Sequence, residues 1–367
     1  MLFPYTYVPH QMEKMQEFID FIFFEVWCKA PIGTEFTLEL FDNNPDLKEV
    51  LTSFGFASNA PTRGKQFYKE IKAIYALFEP LTPQQIDQFK QWYKANNEIE
   101  KVCNNDPSTQ LARYSDIAAI HVDLTEQLGK FFKDIYSHSL LNLAALREKI
   151  GEIDDHYHAF VKTNKTGKCP FCGISDLLSE YHSKREAYDH YLPKAIYPFN
   201  SINFKNLVPA CHYCNSSYKT SKNPTYTPKD PVRTVRRRVV FYPYKTTAHS
   251  IDLKVDLQHS DITKLTPTDI TLQFGPVAIN DEIETWKEVY GIEERYKAKF
   301  CGDNDGKYWL TQVLDEWKED GRDPAHFLRT LTRQTQNKPF AECNFLKKPF
   351  LDACQSIGLF DALPQQQ

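Results

Sequence analysis

Apolar residues recur with helical spacing through the first 150 residues of the chain. Met15, Phe18 and Ile22 follow one another at three- and four-residue intervals, and Phe67 and Ile71 begin a second such series. Side chains at this spacing share one face of an α-helix, so each series predicts a helix with one buried face. The first region of the chain is therefore predicted to be helical.

Local signals mark where several of these helices begin and end. Thr82-Pro83-Gln84-Gln85 provides a capping hydroxyl, a proline at the first helical position and a glutamine three residues after the cap. We expect this helix to run to about Cys103. Another helix is predicted over residues 125–150, and residues 154–161 continue the helical region to a turn at residues 163–168.

Strands are predicted in the second half of the chain, where short β-branched or alternating runs occur at residues 238–242, 251–257 and 270–274. Helical periodicity then returns at residues 282–290, 293–300, 308–319 and 325–335, with glycines between these segments. The chain is therefore predicted to be α+β and mainly helical. Its predicted regions are a helical N-terminal region (residues 1–162), a central module (163–230) and a mixed strand and helix C-terminal region (231–367).

The composition is typical of a globular protein. Of its 367 residues, 41% are hydrophobic and 25% are charged, which is enough apolar material for a substantial core. The apolar run from Phe18 to Trp27 is interrupted by Asp20 and Glu25 and lacks a basic leader, so it predicts a core helix rather than a signal peptide. We expect a cytoplasmic protein that has no membrane partner.

Basic residues are concentrated in one stretch, although the net charge of the chain is −4. Residues 216–240 contain seven lysines and arginines and one acid, and such a patch suits a phosphate backbone. The members expected to contact nucleic acid are Lys219, Lys222, Arg236, Arg237 and Arg238, and the same stretch also contains Lys229 and Arg233. For residues 236–238, an exposed strand edge that charge protects from aggregation is the alternative.

Four of the nine cysteines form two pairs, Cys169-x-x-Cys172 and Cys211-x-x-Cys214. Two such pairs can supply the four thiolates of a tetrahedral Zn²⁺ site, so we predict structural zinc; four unrelated core thiols are the alternative. The other five cysteines are scattered singly and are predicted to be small buried side chains. Thirty-eight residues separate Cys172 from Cys211, more than the roughly 15 to 20 of a simple zinc ribbon, so the metal would enclose an inserted segment.

The inserted segment carries an ordered series of polar residues. Tyr188-Asp189-His190-Tyr191-Leu192-Pro193-Lys194 is followed by Asn206-Leu207-Val208-Pro209-Ala210-Cys211 and then by Cys214-Asn215, with Lys219 one helical turn further on. The series resembles the HNH (His-Asn-His) endonuclease family from Cys169 to about Pro228, about a sixth of the chain. The resemblance implies a zinc-stapled ββα-metal module at the centre of the protein.

The residue types in this series suit phosphodiester hydrolysis, which needs a base that activates water and a charge that stabilises the leaving oxygen. His190 suits the role of base because an imidazole titrates near neutrality. The resemblance implies that Asp189 and Asn215 bind a catalytic Mg²⁺ or Mn²⁺, distinct from the zinc, and that Asn206 orients the base. His212 lies three residues before Asn215, on the same helix face, and is an alternative ligand.

The resemblance implies metal-dependent endonucleolytic cleavage of DNA that leaves 5′-phosphate and 3′-hydroxyl ends. It extends to nucleases of bacterial anti-phage defence systems, which implies control by a separate ATPase or sensor subunit, since the chain has no Gly-x-x-x-x-Gly-Lys-Ser/Thr phosphate loop. A zinc-stabilised nucleic-acid-binding module without catalysis is the alternative. A second Asp-His pair, Asp155-His156, has no associated asparagine or cysteine pair, and we interpret it as solvated helix surface.

Overall fold

The computed structural model describes residues 1–228, 234–247 and 249–361. The first ten α-helices are α1 (Lys14–Phe21), α2 (Pro45–Gly55), α3 (Thr62–Phe78), α4 (Pro83–Asn97), α5 (Ile99–Cys103), α6 (Tyr114–Ala118), α7 (Val122–Asp134), α8 (His138–Leu141), α9 (Ala144–Ile150) and α10 (Ile153–Thr163). The later ones are α11 (Asn280–Tyr290), α12 (Ile292–Cys301), α13 (Gly306–Asp320), α14 (Pro324–Asn337) and α15 (Asn344–Ser356). The described residues also form two small sheets. The predicted class, α+β and mainly helical, is therefore confirmed. Within the described ranges, no helix combines the length and the apolar character needed to span a bilayer.

The first helix changes its winding before it ends. After α1 the chain forms a π-helical segment, Ile22–Val26, and then a 3₁₀ segment, Trp27–Ile32. Gly33 ends the run with φ +83°, in the left-handed region that glycine adopts most readily. Met15, Phe18 and the other apolar positions of the predicted face are buried, so the inward face is confirmed.

The capping signature at residues 82–85 forms the structure it predicts. The Thr82 hydroxyl accepts a hydrogen bond from the Gln85 N–H (3.3 Å), and the Gln85 side chain accepts one from the Thr82 N–H (2.9 Å). The helix is shorter than predicted, because Glu98 leaves the helical region with φ −86° and ψ 62° and separates α4 from α5. The predicted helix over residues 125–150 is likewise divided into α7, α8 and α9.

In the described part of the chain, the strands form two antiparallel pairs. These pairs join β1 (Tyr188–His190) to β2 (Leu207–Pro209), and β3 (Asp252–Leu257) to β4 (Ile270–Gly275). The predicted strands at residues 251–257 and 270–274 are therefore confirmed, whereas the one at residues 238–242 is wrong. The Val240 N–H donates to the Cys103 carbonyl at the end of α5 (2.9 Å), and the Val239 carbonyl accepts from the Thr285 hydroxyl (3.0 Å). These backbone groups bond to helices and thus form no strand ladder.

Buried residues form two apolar clusters, and the β1–β2 hairpin contributes to both. The first cluster combines α1 to α4 and α6 to α10 and includes Tyr188 and Leu207 from the hairpin. The second combines the C-terminal helices, the β3–β4 hairpin and the four paired cysteines, and it includes Tyr191 and Val208. Because successive residues of a strand point to opposite faces, the hairpin is packed on one face by the N-terminal region and on the other by the C-terminal region.

Candidate functional site

The two cysteine pairs meet in the second apolar cluster. Cys169, Cys172, Cys211 and Cys214 are all buried, and their sulfur atoms lie within 4.8 Å of one another. The Cys172 and Cys211 Sγ atoms are 3.9 Å apart. A tetrahedral zinc ion with Zn–S bonds of about 2.3 Å places its sulfurs about 3.8 Å apart. The four cysteines therefore fit, and could hold, a zinc ion.

The backbone around the cysteines forms a tight turn that requires glycine after the first pair. The Gly173 N–H donates to the Cys169 carbonyl (2.7 Å), and Gly173 has φ +69°. A Cβ at this position would lie 2.4 Å from the Leu2 side chain and 2.7 Å from that of Phe345. In the second pair, the Cys214 N–H donates to the Cys211 sulfur (3.5 Å). The turn that follows the first pair packs closely against Leu2 and Phe345, and the sulfurs of both pairs lie together.

A cationic residue that the sequence reasoning missed contacts this centre. The Arg295 guanidinium, from α12, donates to the Cys214 sulfur (3.1 Å) and lies 4.7 Å from the ring centroid of Tyr218. Burial opposes the charge of Arg295, but the thiolates of Cys214 and Cys172 outweigh burial and raise its pKa. Arg295 is 81 positions from Cys214, and no local motif marks it.

The loop between β1 and β2 is closed by the buried side chain of Asn206. Its Oδ1 accepts from the Leu192 N–H (2.7 Å), and its Nδ2 donates to the carbonyls of Leu192 (3.1 Å) and Asn200 (3.2 Å). Its own carbonyl accepts from the Tyr191 N–H (2.9 Å). A single amide thus joins the residues that follow His190 to the far side of the loop.

The imidazole of His190 is held at the end of β1 and is partly exposed. Its Nε2 lies 3.0 Å from the Ser201 carbonyl oxygen. A carbonyl can only accept, so Nε2 carries the proton and Nδ1 retains its lone pair. The ring packs edge-on against Tyr136, with centroids 4.7 Å apart. Burial, followed by the charges of Lys194 and Lys219, lowers the pKa of His190 to about 3. This is well below the near-neutral value expected from the sequence, and the ring is neutral at pH 7.

Asp189 forms a buried ion pair that the sequence did not predict. Its Oδ1 accepts from Lys219 Nζ (2.8 Å), which also donates to the His190 carbonyl (2.8 Å). The side chains of Asp189 and Lys219 are 3% and 0% exposed. Lys219 was expected to contact phosphate, but here it has no exposed surface because Asp189 lies within reach of its helix. The structure therefore does not present Lys219 to a substrate.

The second carboxylate oxygen of Asp189 is buried and receives no hydrogen bond from the described residues. Burial raises the pKa of Asp189, and Lys219 opposes that shift. Tyr290 of α11, also missed by the sequence reasoning, lies close enough for the Asp189 charge to raise its pKa further after burial. The Tyr290 hydroxyl is buried and likewise has no hydrogen-bond partner in the described part of the chain.

Asn215 and His212 lie at the start of the helical segment Tyr213–Lys219. Asn215 is half-buried and lies four residues before Lys219, so the two share a helix face. His212 is exposed, and its charge acts on Glu186, whose pKa burial raises and His212 lowers. Both Asp189 and Asn215 carry side-chain oxygens, the type of donor that Mg²⁺ and Mn²⁺ prefer.

Two of the arginines expected to contact nucleic acid bond within the chain. The Arg237 guanidinium donates to the carbonyls of Thr109 (3.0 Å) and Val102 (3.2 Å). Arg238 donates to the Pro224 carbonyl (3.0 Å) and forms an ion pair with Glu288 (2.6 Å). Both are half-buried, so in this structure they join α5 and α11 to the central region instead of forming a free basic strand edge.

The other basic positions are more exposed. Lys222 is exposed, and its Nζ donates to the carbonyls of Glu288 (3.3 Å) and Val289 (3.4 Å) near the end of α11. Arg236 is exposed. Lys229 and Arg233 lie outside the described residues. Of the five described members of the basic stretch, Lys222 and Arg236 are thus the exposed ones.

The second Asp-His pair is only partly surface, so our interpretation is wrong for its histidine. Asp155 is exposed, but His156 is 2% exposed and its Nδ1 is hydrogen-bonded to the Tyr188 hydroxyl of β1. Burial, followed by the charge of His10, lowers the pKa of His156 to about 4. This histidine therefore anchors α10 to the hairpin as a neutral side chain.

No protein-family model matches the chain, and neither a curated protein nor a solved structure shows significant similarity to it. Among the described residues, the four cysteines are the one group of three or more cysteine, histidine, aspartate or glutamate side chains placed to share a metal ion. Function must therefore be inferred from the chemistry and geometry of the residues themselves.

Proposed function

We propose that the protein is a metal-dependent HNH-type endonuclease that hydrolyses phosphodiester bonds of DNA, with residues 163–230 as its ββα-metal module. The observation that supports this most is the state of His190. The Ser201 carbonyl holds the proton on Nε2, so the neutral ring carries its lone pair on Nδ1, which can accept a proton. Its neighbour in the chain is Asp189, one of the two side chains suited to a catalytic cation.

In the proposed reaction, His190 Nδ1 takes a proton from the attacking water. The water oxygen bonds to phosphorus, the bond from phosphorus to the 3′ oxygen breaks, and the leaving oxygen takes up a proton from solvent water. This produces the 5′-phosphate and 3′-hydroxyl ends that the resemblance implies. Asn206 keeps the base in position through its hydrogen bonds to Leu192 and Asn200.

Asp189 and Asn215 would hold the catalytic Mg²⁺ or Mn²⁺. A bound divalent ion neutralises the charge that develops on the leaving oxygen. The buried, unpartnered oxygen of Asp189 supports this assignment, because a buried acceptor without a donor is costly unless an ion or water meets it. Without the divalent ion, the Lys219 ammonium serves as the counter-charge of Asp189.

We propose a structural role for zinc at the four cysteines. The ion would join the turn at residues 169–173 to the segment Tyr213–Lys219, and so hold Asn215 against the β1–β2 hairpin. Four thiolates leave no open coordination position, which is characteristic of structural rather than catalytic zinc. Arg295 offsets part of the negative charge that four thiolates carry around one Zn²⁺.

The Asp189–Lys219 ion pair favours a second candidate, a zinc-stabilised nucleic-acid-binding module without catalysis. The ammonium already provides Asp189 with a cation partner at 2.8 Å. If that ion pair is permanent, Asp189 binds no divalent ion and His190 does not act as a catalytic base. The two candidates differ in whether metal-dependent cleavage exists.

Plasmid nicking with Mg²⁺, Mn²⁺ or EDTA tests the proposal. We expect the wild type to nick with either divalent ion and not with EDTA. His190→Ala should lose activity by a factor of about 10² to 10⁴, the usual contribution of a general base, while it retains its zinc. His182→Ala is the matched control, because His182 is an exposed histidine of the same module, and it should remain active. An inactive wild type, or an active His190→Ala, would contradict the proposal.

We further propose that a partner controls this activity in the cytoplasm, as the resemblance to defence nucleases implies. Any ATP-driven step would need a separate ATPase or sensor subunit, since the sequence has no phosphate loop of its own. Weak nicking by the purified chain, increased by a co-purified subunit, is the expected result. Equal nicking with and without that subunit would argue against control.

A further inference from the structure

Lys194, which is outside the basic stretch, approaches the same aromatic ring as His190 and is hydrogen-bonded to the backbone of a second lysine, Lys133. Lys194 follows β1 and is half-buried, and its Nζ donates to the Lys133 carbonyl at the end of α7 (3.0 Å). The same Nζ is 5.6 Å from the ring centroid of Tyr136, and that ring packs edge-on against His190 at 4.7 Å. Lys194 and His190 thus flank one aromatic ring.

Lys133 extends this surface from the N-terminal region. Its side chain is exposed, and its Nζ lies 5.6 Å from the ring centroid of Tyr114. The carboxylate of its neighbour Asp134 forms an ion pair with the Arg63 guanidinium (3.7 Å). Within the described ranges, no carboxylate oxygen lies within 4.0 Å of the Nζ atom of Lys133 or Lys194.

These two lysines differ in this respect from two members of the basic stretch. Lys219 is paired with Asp189, and Arg238 is paired with Glu288. A cation that already has an anionic partner must lose that partner before it can bind a phosphate, whereas an unpaired ammonium gains one. Lys194 also lies on the side of the hairpin that His190 faces, because both side chains approach the Tyr136 ring.

We propose that Lys133 and Lys194 form the surface that binds the DNA phosphate backbone next to His190. The N-terminal helical region is then part of the substrate site, since α7 supplies Lys133 and the ring of Tyr136 lies between Lys194 and the base. This inference rests on the proposed function, and it names the face from which the duplex approaches. The alternative DNA-binding surface is the one that carries the exposed Arg236.

Binding measured without cleavage tests this surface directly. A labelled DNA duplex is titrated by fluorescence anisotropy, without added Mg²⁺ or Mn²⁺, over a series of salt concentrations. Lys133→Met removes the charge but keeps the backbone carbonyl that accepts the hydrogen bond from Lys194, so we expect the fold to be retained. Lys194→Arg keeps the positive charge. Lys318→Met is the matched control, because Lys318 is exposed on α13, which packs against α12, α14 and α15.

We expect Lys133→Met and Lys194→Met each to weaken binding roughly tenfold at low salt, and to reduce the slope of log K against log salt by about 0.9. Lys194→Arg and Lys318→Met should bind like the wild type. In cleavage assays, Lys133→Met should raise KM and leave kcat unchanged, which is the result of lost substrate binding. A circular dichroism melt of each variant checks that folding is unaffected.

The outcomes separate this inference from the proposed function. Unchanged binding in both methionine variants, with weakened binding in Arg236→Gln, overturns the surface and leaves the nuclease intact. Lysine-dependent binding together with cleavage that survives His190→Ala overturns the nuclease and supports the surface. A wild type that neither binds nor cleaves DNA overturns both.

Discussion

At the scale of single residues, the buried pair of Asp189 and Lys219 determines the properties of the site. Removing one partner of a buried ion pair leaves an uncompensated charge, which destabilises proteins by about 3 to 5 kcal/mol. We therefore expect Lys219→Met to lower the free energy of unfolding by about that amount in urea denaturation. The double variant Asp189→Asn/Lys219→Met should recover part of the loss, because it buries no charge.

The same variant reports on the proposed cation site. With its ammonium partner gone, Asp189 should prefer Mg²⁺, so Mg²⁺ should raise the melting temperature of Lys219→Met more than that of the wild type. Ca²⁺ and Na⁺ at matched ionic strength are the controls for screening. An equal Mg²⁺ response in both proteins would show that Asp189 is not a ligand.

The buried His156 should make stability depend on pH in mildly acidic solution. Its pKa is about 4 in the folded chain against about 6.5 when unfolded. The unfolded chain thus takes up the proton first as the pH falls. The contribution is fully present above pH 6.5 and is lost as the pH falls toward 4, to a total of about 3 kcal/mol.

His156→Gln tests this dependence, because it removes the titrating group at the same position. Its free energy of unfolding, measured at several pH values from 4 to 7, should fall less steeply than that of the wild type, by about 1.4 kcal/mol per pH unit in the middle of the range. Parallel curves for the two proteins would refute the assignment. The dipeptide Asp155-His156 could not reveal this burial, since it depends on Tyr188 of a distant strand.

At the scale of elements, the sequence predicted what local chemistry determines. The Thr82 cap, and each Cys-x-x-Cys pair taken by itself, depend on residues within a few positions of one another. The cap formed as expected, and the two pairs lie together. The predicted strand at residues 238–242 failed because a strand needs a partner, and its backbone bonded to α5 and α11 instead. Arg295 was missed for a related reason, since α12 reaches Cys214 only in the folded chain.

Arg295 gives a prediction at the level of its helix. Because it donates to the Cys214 sulfur, Arg295→Met should weaken zinc affinity, by roughly 10- to 100-fold, as is typical for residues that support metal ligands. Competition with a chromophoric chelator measures the change, and Co²⁺ substitution shows whether four thiolates still bind the ion. Lys297→Met, which removes another cation of α12, is the control. Unchanged zinc affinity in Arg295→Met would contradict this role.

At the scale of the whole molecule, both faces of the central hairpin pack against the rest of the chain, while His190 at the end of β1 stays partly exposed. Tyr188 and Leu207 pack into the cluster of the N-terminal helices, and Tyr191 and Val208 pack into that of the C-terminal region. The chain start also belongs to the second cluster, because the Leu2 N–H donates to the Pro170 carbonyl (2.8 Å). The boundaries predicted at residues 162 and 230 follow composition and motif, which carry no information on such packing.

Residues 163–230 expressed alone should therefore not fold, even with excess Zn²⁺. Excision exposes both apolar faces of the hairpin and removes Arg295, and zinc binding alone would have to compensate for the lost burial. Circular dichroism and amide proton dispersion of the fragment, with and without Zn²⁺, measure this against the full chain. A fragment that folds cooperatively with zinc would show that the module is autonomous, and the flanking regions would then serve binding or control rather than stability.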